Sequence, residues 1–324
     1  MCPVPSIDLP LEQLRAYVPQ TIGPPDLDAF WEATLTSARS RPPELELGPE
    51  QPKLAGVTAH PVRFGGLDGA PIAGWLVRPD GAGPFPGVVH YHGYGGRGAR
   101  PLELYTMAAQ GIAVLSMDCR GQDGDSPDIP PPAGGHHSGW LTRGLRNPQQ
   151  YYYRYVYGDA VRAIDCLAAL DGVDDRRLAV TGVSQGGGLS LAAAALSGRA
   201  SFVWADVPFL CDFARAVGLA DTLPYTEIPA FLRRHPELEQ TAYRALSYFD
   251  VANLAPRVTC PVVVTVGLWD AVCPPSTIFG TFNRLSSADK ELVVFPYHGH
   301  EVTYDMDERR LRELVRRLGA GTGK

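Results

Sequence analysis

A chain of 324 residues, 45% hydrophobic and 20% charged, is long enough to bury a large core in one α/β domain. Its 29 basic and 35 acidic residues leave a net charge of −6 with no basic block, which argues against nucleic acid or an anionic membrane as a partner. No apolar run reaches transmembrane length, the opening Met1-Cys2-Pro3-Val4-Pro5-Ser6 lacks signal-peptide character, and Cys2, Cys119, Cys166, Cys211, Cys260 and Cys273 show no C-x-x-C spacing. The expectation is a cytoplasmic protein without a disulfide framework, cofactor or metal.

Residues 1–55 form an N-terminal extension, Pro-rich at first and then helical. Asp26 is placed to cap a helix whose Leu27, Trp31 and Leu35 share a face, with Phe30 beside it. Val57–Phe64 and Pro71–Arg78 read as strands of a hairpin around Gly65-Gly66-Leu67-Asp68-Gly69. Gly87–His92 is a buried strand running into Gly93-Tyr94-Gly95-Gly96. A short helix over 101–110 and a strand over Ile112–Met117 follow. Residues 123–150 are rich in Pro, Gly and Asp and form a long surface loop, a kind that is usually functional. Tyr151–Leu170 has helical spacing. Phe202–Ala205 is a strand, whereas 208–248 is helical and irregular and reads as an inserted cap. Pro261–Val266 and Glu291–Phe295 are the last strands, with helices over 276–285 and 306–318. Alternating helices and continuous apolar strands predict a mostly parallel sheet covered on both faces, with its site at the C-terminal strand ends.

The centre of this pattern is Gly182-Val183-Ser184-Gln185-Gly186, set between the apolar strand Leu178–Val180 and an Ala/Leu-rich helix. This is the G-x-S-x-G form of a nucleophile elbow. Glycines are needed because a Cβ beside the serine would crowd the adjoining strand and helix. A serine hydroxyl needs a base, and the base needs an acid to hold its tautomer. In an elbow architecture these follow in the order acid, then histidine, each beyond a strand. Asp270 follows the strand ending at Val266, and His298-Gly299-His300-Glu301 follows the next one. His298 and His300 compete for the base. His300 is preferred because Gly299 frees the backbone before it, and Glu301 is poorly placed to hold its neighbour. Gln185 and Tyr94 are the expected oxyanion amides. His90 and His92 share a strand face, and His298 and His300 have the same spacing, but no Asp, Glu or Cys set completes a metal site.

These stretches resemble the acetyl xylan esterase/cephalosporin C deacetylase family, carbohydrate esterase family 7. The likeness rests on Tyr91-His92-Gly93-Tyr94, Arg120-Gly121-Gln122, the Gly139–Gly144 segment, Tyr151-Tyr152-Tyr153-Arg154 and Gly182–Gly188. It continues in Ser247-Tyr248-Phe249-Asp250, Gly267-Leu268-Trp269-Asp270, Pro274–Thr277 and Gly299-His300-Glu301. Val183 stands where the family commonly has Gly, and His298 where an aromatic residue is common. The resemblance implies an α/β-hydrolase fold with Ser184 as nucleophile, His300 as base, Asp270 as its orienter, and Tyr94 and Gln185 as oxyanion donors. It also implies a small acetylated substrate, such as a xylo-oligosaccharide or a cephalosporin C-like ester, and a homo-hexamer. Two other readings keep the same fold: a peptidase of the prolyl oligopeptidase kind or a longer-chain esterase, and a non-catalytic binding protein.

Overall fold

A computed structural model describes residues 7–51 and 54–321; Cys2 and the opening Met1–Ser6 lie outside the described residues. Two helices come first, α1 (Leu11–Ala16) and α2 (Leu27–Ala38), then the short strand β1 (Leu45–Leu47). The hairpin forms from β2 (Val57–Gly65) and β3 (Pro71–Pro79). The alternation that follows is β4 (Phe85–Tyr91), α3 (Pro101–Ala108), β5 (Ala113–Met117), α4 (Tyr152–Ala168), β6 (Val173–Val183), α5 (Gln185–Ser197) and β7 (Phe202–Asp206). The next strand, β8 (Val262–Gly267), is reached through α6 (Phe213–Leu219), α7 (Glu227–Leu232), α8 (Glu239–Ser247) and α9 (Val251–Leu254). The chain closes with α10 (Pro275–Asn283), β9 (Lys290–Phe295) and α11 (Tyr304–Leu318).

Among the described residues, nine strands join one sheet in the order β1-β2-β3-β5-β4-β6-β7-β8-β9. The first three pair antiparallel, β3 also runs antiparallel to β5, and every pair from β5 to β9 is parallel. This is the α/β-hydrolase fold. The central stretches of the parallel strands are largely apolar because successive residues enter two different cores. Val89, Val180, Val203, Ala205 and Val264 face the larger core, formed with α2, α4 and α5. Val88, Ala179, Phe202, Trp204 and Val263 face the smaller one, closed by α3 and α11. Each large side chain buried this way contributes roughly 1.5–3 kcal/mol.

Three local expectations change. Asp26 occupies the N-cap position of α2, but its side chain makes no capping bond. Its Oδ1 instead accepts the Tyr248 hydroxyl at 2.7 Å, a tertiary contact that wins over the local one. The buried face of α2 is Phe30, Trp31, Thr34 and Ala38, with Leu27 and Leu35 only packed against its margin. The N-terminal extension also contributes an edge strand, since β1 pairs Leu45 with Phe64 and Leu47 with Val62.

Candidate active site

The elbow is held against its own strain. Ser184 has φ 57° and ψ −115°, a conformation a non-glycine residue rarely adopts. Its N–H donates to Asp206 O at 2.9 Å, and its carbonyl accepts from Gly188 N at 3.0 Å and Phe209 N at 2.9 Å. A Cβ on Gly182 would stand 2.3 Å from Tyr91 O, and one on Gly186 2.0 Å from the same atom. The glycines are therefore imposed by the close approach of β4. Asp206, which receives the Ser184 amide, is fully buried; its Oδ2 accepts from Arg310 of α11 at 2.5 Å.

The three residues expected at the strand ends meet in space. His300 Nε2 lies 2.8 Å from Ser184 Oγ, and His300 Nδ1 lies 2.8 Å from Asp270 Oδ2. Asp270 is completely buried, and its Oδ1 accepts the Val272 and Cys273 amides at 2.9 and 2.7 Å. Those two bonds leave Oδ2 facing the imidazole, so Nδ1 carries the proton and Nε2 is free to accept the serine O–H. His298 takes no part: its Nδ1 lies 2.8 Å from Glu301 Oε1, on an exposed edge. That contact also removes Glu301 as a partner for His300.

The two proposed oxyanion amides come from separate segments joined by side chains. The Gln185 N–H opens α5, where the first amides have no partner within the helix. Its side chain is fully buried and touches Gln122, Tyr153 and Cys119. Tyr94 sits in the glycine turn after β4, where Gly96 N donates to Gly93 O at 3.1 Å. Gln122 Oε1 accepts the adjoining Gly95 N–H at 2.9 Å.

Neither metal arrangement fits the chemistry of its donors. Both nitrogens of His92 are engaged: Nδ1 lies 2.7 Å from Gly93 O, and Nε2 accepts the Cys119 N–H at 2.9 Å. Among the described residues, Asp270, Cys273 and His300 approach one another closely enough to share an ion. However, both Asp270 oxygens are already committed, Oδ1 to the Val272 and Cys273 amides and Oδ2 to His300 Nδ1, and His300 Nε2 faces Ser184 Oγ.

With this geometry in place, relatedness can be set beside it. Residues 4–317 match the family model described as acetyl xylan esterase (AXE1). The chain belongs to the acetyl xylan esterase family. Membership makes it a carboxylic ester hydrolase. It is 32% identical to acetyl esterase Axe7A of Xylanibacter ruminicola over 306 residues, covering 93% of this chain and 69% of that protein. Among solved structures, it is similar to an acetyl xylan esterase from Paenibacillus sp. R4, with TM-score 0.91, 38% identity and coverage of 95% and 99% of the two chains. Acetyl xylan esterase 1 from Thermoanaerobacterium sp. JW/SL YS485 gives TM-score 0.91 and 33% identity, covering 96% and 99%. The acylaminoacyl peptidase of Pyrococcus horikoshii shares only the fold, at 18% identity, TM-score 0.61 and coverage of 82% and 41%.

Sequence reasoning quoted Gln122 and Trp140 only as parts of motifs and passed over Glu227. Gln122 carries a usable signal, a polar residue just past a buried strand. Glu227 has none, because it reaches Tyr94 across 133 positions from a block without periodicity.

Proposed function

We propose that the enzyme removes acetyl groups from small acetylated substrates through an acetyl-enzyme intermediate on Ser184. The observation that carries this reading is the unbroken contact from Asp270 through His300 to Ser184 Oγ. Ser184 Oγ attacks the acetyl carbonyl carbon while His300 Nε2 takes its proton, and the Tyr94 and Gln185 amides receive the developing oxyanion. His300 then gives the proton to the departing alkoxide. Water, deprotonated by the same nitrogen, attacks the acetyl-serine and releases acetate. Acetylated xylo-oligosaccharides and cephalosporin C-like esters are the substrates proposed, with the 208–248 block as a cap beside the site.

The assembly proposed is a homo-hexamer, supported by the family resemblance, and the location is the cytoplasm, supported by free cysteines at 119, 166, 211, 260 and 273. Among the described residues no helix is long and apolar enough to cross a membrane.

Turnover of nitrophenyl acetate, butyrate and octanoate, with Ser184→Ala as control, tests the reading. Steep preference for acetate and an inactive variant are expected. A preference for octanoate or for amide substrates overturns the substrate class, and turnover by Ser184→Ala overturns the mechanism.

A further inference from the structure

We propose that Glu227, at the start of α7 in the helical insertion, is a positioning residue that fixes the oxyanion loop through the Tyr94 side chain. This rests on the reading of the Tyr94 amide as an oxyanion donor. The Tyr94 hydroxyl donates to Glu227 Oε1 at 2.5 Å, and the Tyr94 hydroxyl oxygen in turn accepts the Trp140 N–H at 2.7 Å. Glu227 Oε2 accepts the Leu141 N–H at 3.0 Å. Two segments distant in sequence, the turn after β4 and the Trp140-Leu141 part of the long loop, thus meet at one carboxylate of the insertion.

The carboxylate occupies a place made for it. Glu227 is only 1% exposed. Gly139 has φ +106°, and a Cβ there would stand 2.0 Å from Glu227 Oε1. Among the described residues, the titratable groups acting on this carboxylate are Tyr94 and Tyr151, and the Tyr151 hydroxyl is itself given to Leu141 O at 2.9 Å. A buried acid without a cation is costly, so a merely structural link would be served better by a neutral side chain. The geometry shows why a neutral link does not suffice. Both carboxylate oxygens accept, whereas a glutamine offers one acceptor and turns an NH₂ toward either the Leu141 N–H or the tyrosine hydroxyl.

The loop needs this anchor because its own backbone is permissive. Gly93, Gly95 (φ +72°) and Gly96 surround Tyr94, so its amide direction is set by what holds the ring. Burial pushes Glu227 up to about 7. Above that pH both oxygens accept and the anchor is whole; below it a proton occupies one of them.

The test is kcat and KM on an acetate ester for Glu227→Gln, Tyr94→Phe and the double variant, with thermal melts confirming folding. At about pH 8.5 each single variant should lower kcat roughly tenfold or more while KM moves less than about threefold. The double variant should be no worse than either single one, since both remove the same link. The ratio of wild-type to Glu227→Gln kcat cancels any pH dependence the two enzymes share, and it should shrink toward one below about pH 6 as the wild-type Glu227 takes up its own proton. Kcat within about twofold of wild type, additive losses, or a ratio independent of pH overturns the proposal. If Glu227→Gln does not fold, Tyr94→Phe decides alone, through the same split between kcat and KM. Failure of the underlying reading shows elsewhere: a phosphonate adduct on Ser184 would leave the Tyr94 amide resonance unmoved.

Discussion

The side chains of Gln122 and Gln185 exchange two hydrogen bonds, Gln122 Nε2 to Gln185 Oε1 at 2.9 Å and Gln185 Nε2 to Gln122 Oε1 at 3.2 Å. Gln122 also receives the Gly95 N–H and donates to the Tyr152 hydroxyl at 2.9 Å. One amide therefore ties the turn carrying Tyr94 to the first residue of α5. Gln122→Ala strips this buried network of its common member, and each group left unpaired costs about 1–3 kcal/mol. Urea unfolding should show a clear loss of stability, with a drop in kcat larger than the change in KM. A variant of wild-type stability and turnover would mean that water replaces the glutamine at no cost.

The two histidines before Glu301 should separate cleanly. His298→Ala removes a contact with Glu301 on an exposed edge, and turnover should stay within about twofold of wild type. Asp270→Asn keeps the shape but turns an NH₂ toward His300 Nδ1, which favours the wrong tautomer. The expected loss is on the order of 10³- to 10⁴-fold in kcat. Equal sensitivity of the two positions would contradict the geometry around Ser184.

His90 gives stability a pH dependence of known sign. It lies on β4 with its Nδ1 enclosed and, among the described residues, unpartnered. Burial, then Arg310 and His92, lower its pKa to about 3. The unfolded chain therefore binds a proton near pH 6.5 that the native protein refuses, and stability is lost as pH falls from there toward about 3. Relative to His90→Phe, the wild type should lose up to about 1 kcal/mol per pH unit in that window. Urea midpoints at about pH 7.5 and about pH 5 measure the difference. Parallel losses in both proteins would contradict the assignment.

The sheet and the nucleophile were legible because they leave local patterns. Val88, Val89, Val180 and Val264 belong to unbroken apolar runs, which only a strand buried on both faces requires. Ser184, Asp270 and His300 each stand just beyond such a run, so chain order alone brought them together. What escaped depends on partners remote in sequence. Leu45–Leu47 is three residues long, half solvated, and becomes a strand only because Phe64 and Val62 lie alongside. The cap expected of Asp26 was lost to Tyr248, 222 positions away. Glu227 looks like any surface glutamate until Tyr94 and Leu141 are seen against it.

The bond between Arg310 and Asp206 also bears on when the site can come into being during synthesis. Asp206 holds the Ser184 amide from the end of β7 through its carbonyl, and its cation arrives more than a hundred positions later, on α11. A nascent chain that has emerged only as far as α10 would have to bury that acid with Trp204 and Thr265 as donors but without its cation, at a cost that favours leaving β7 unsettled. The serine strand, though complete early, is locked into its strained turn only once α11 has been made.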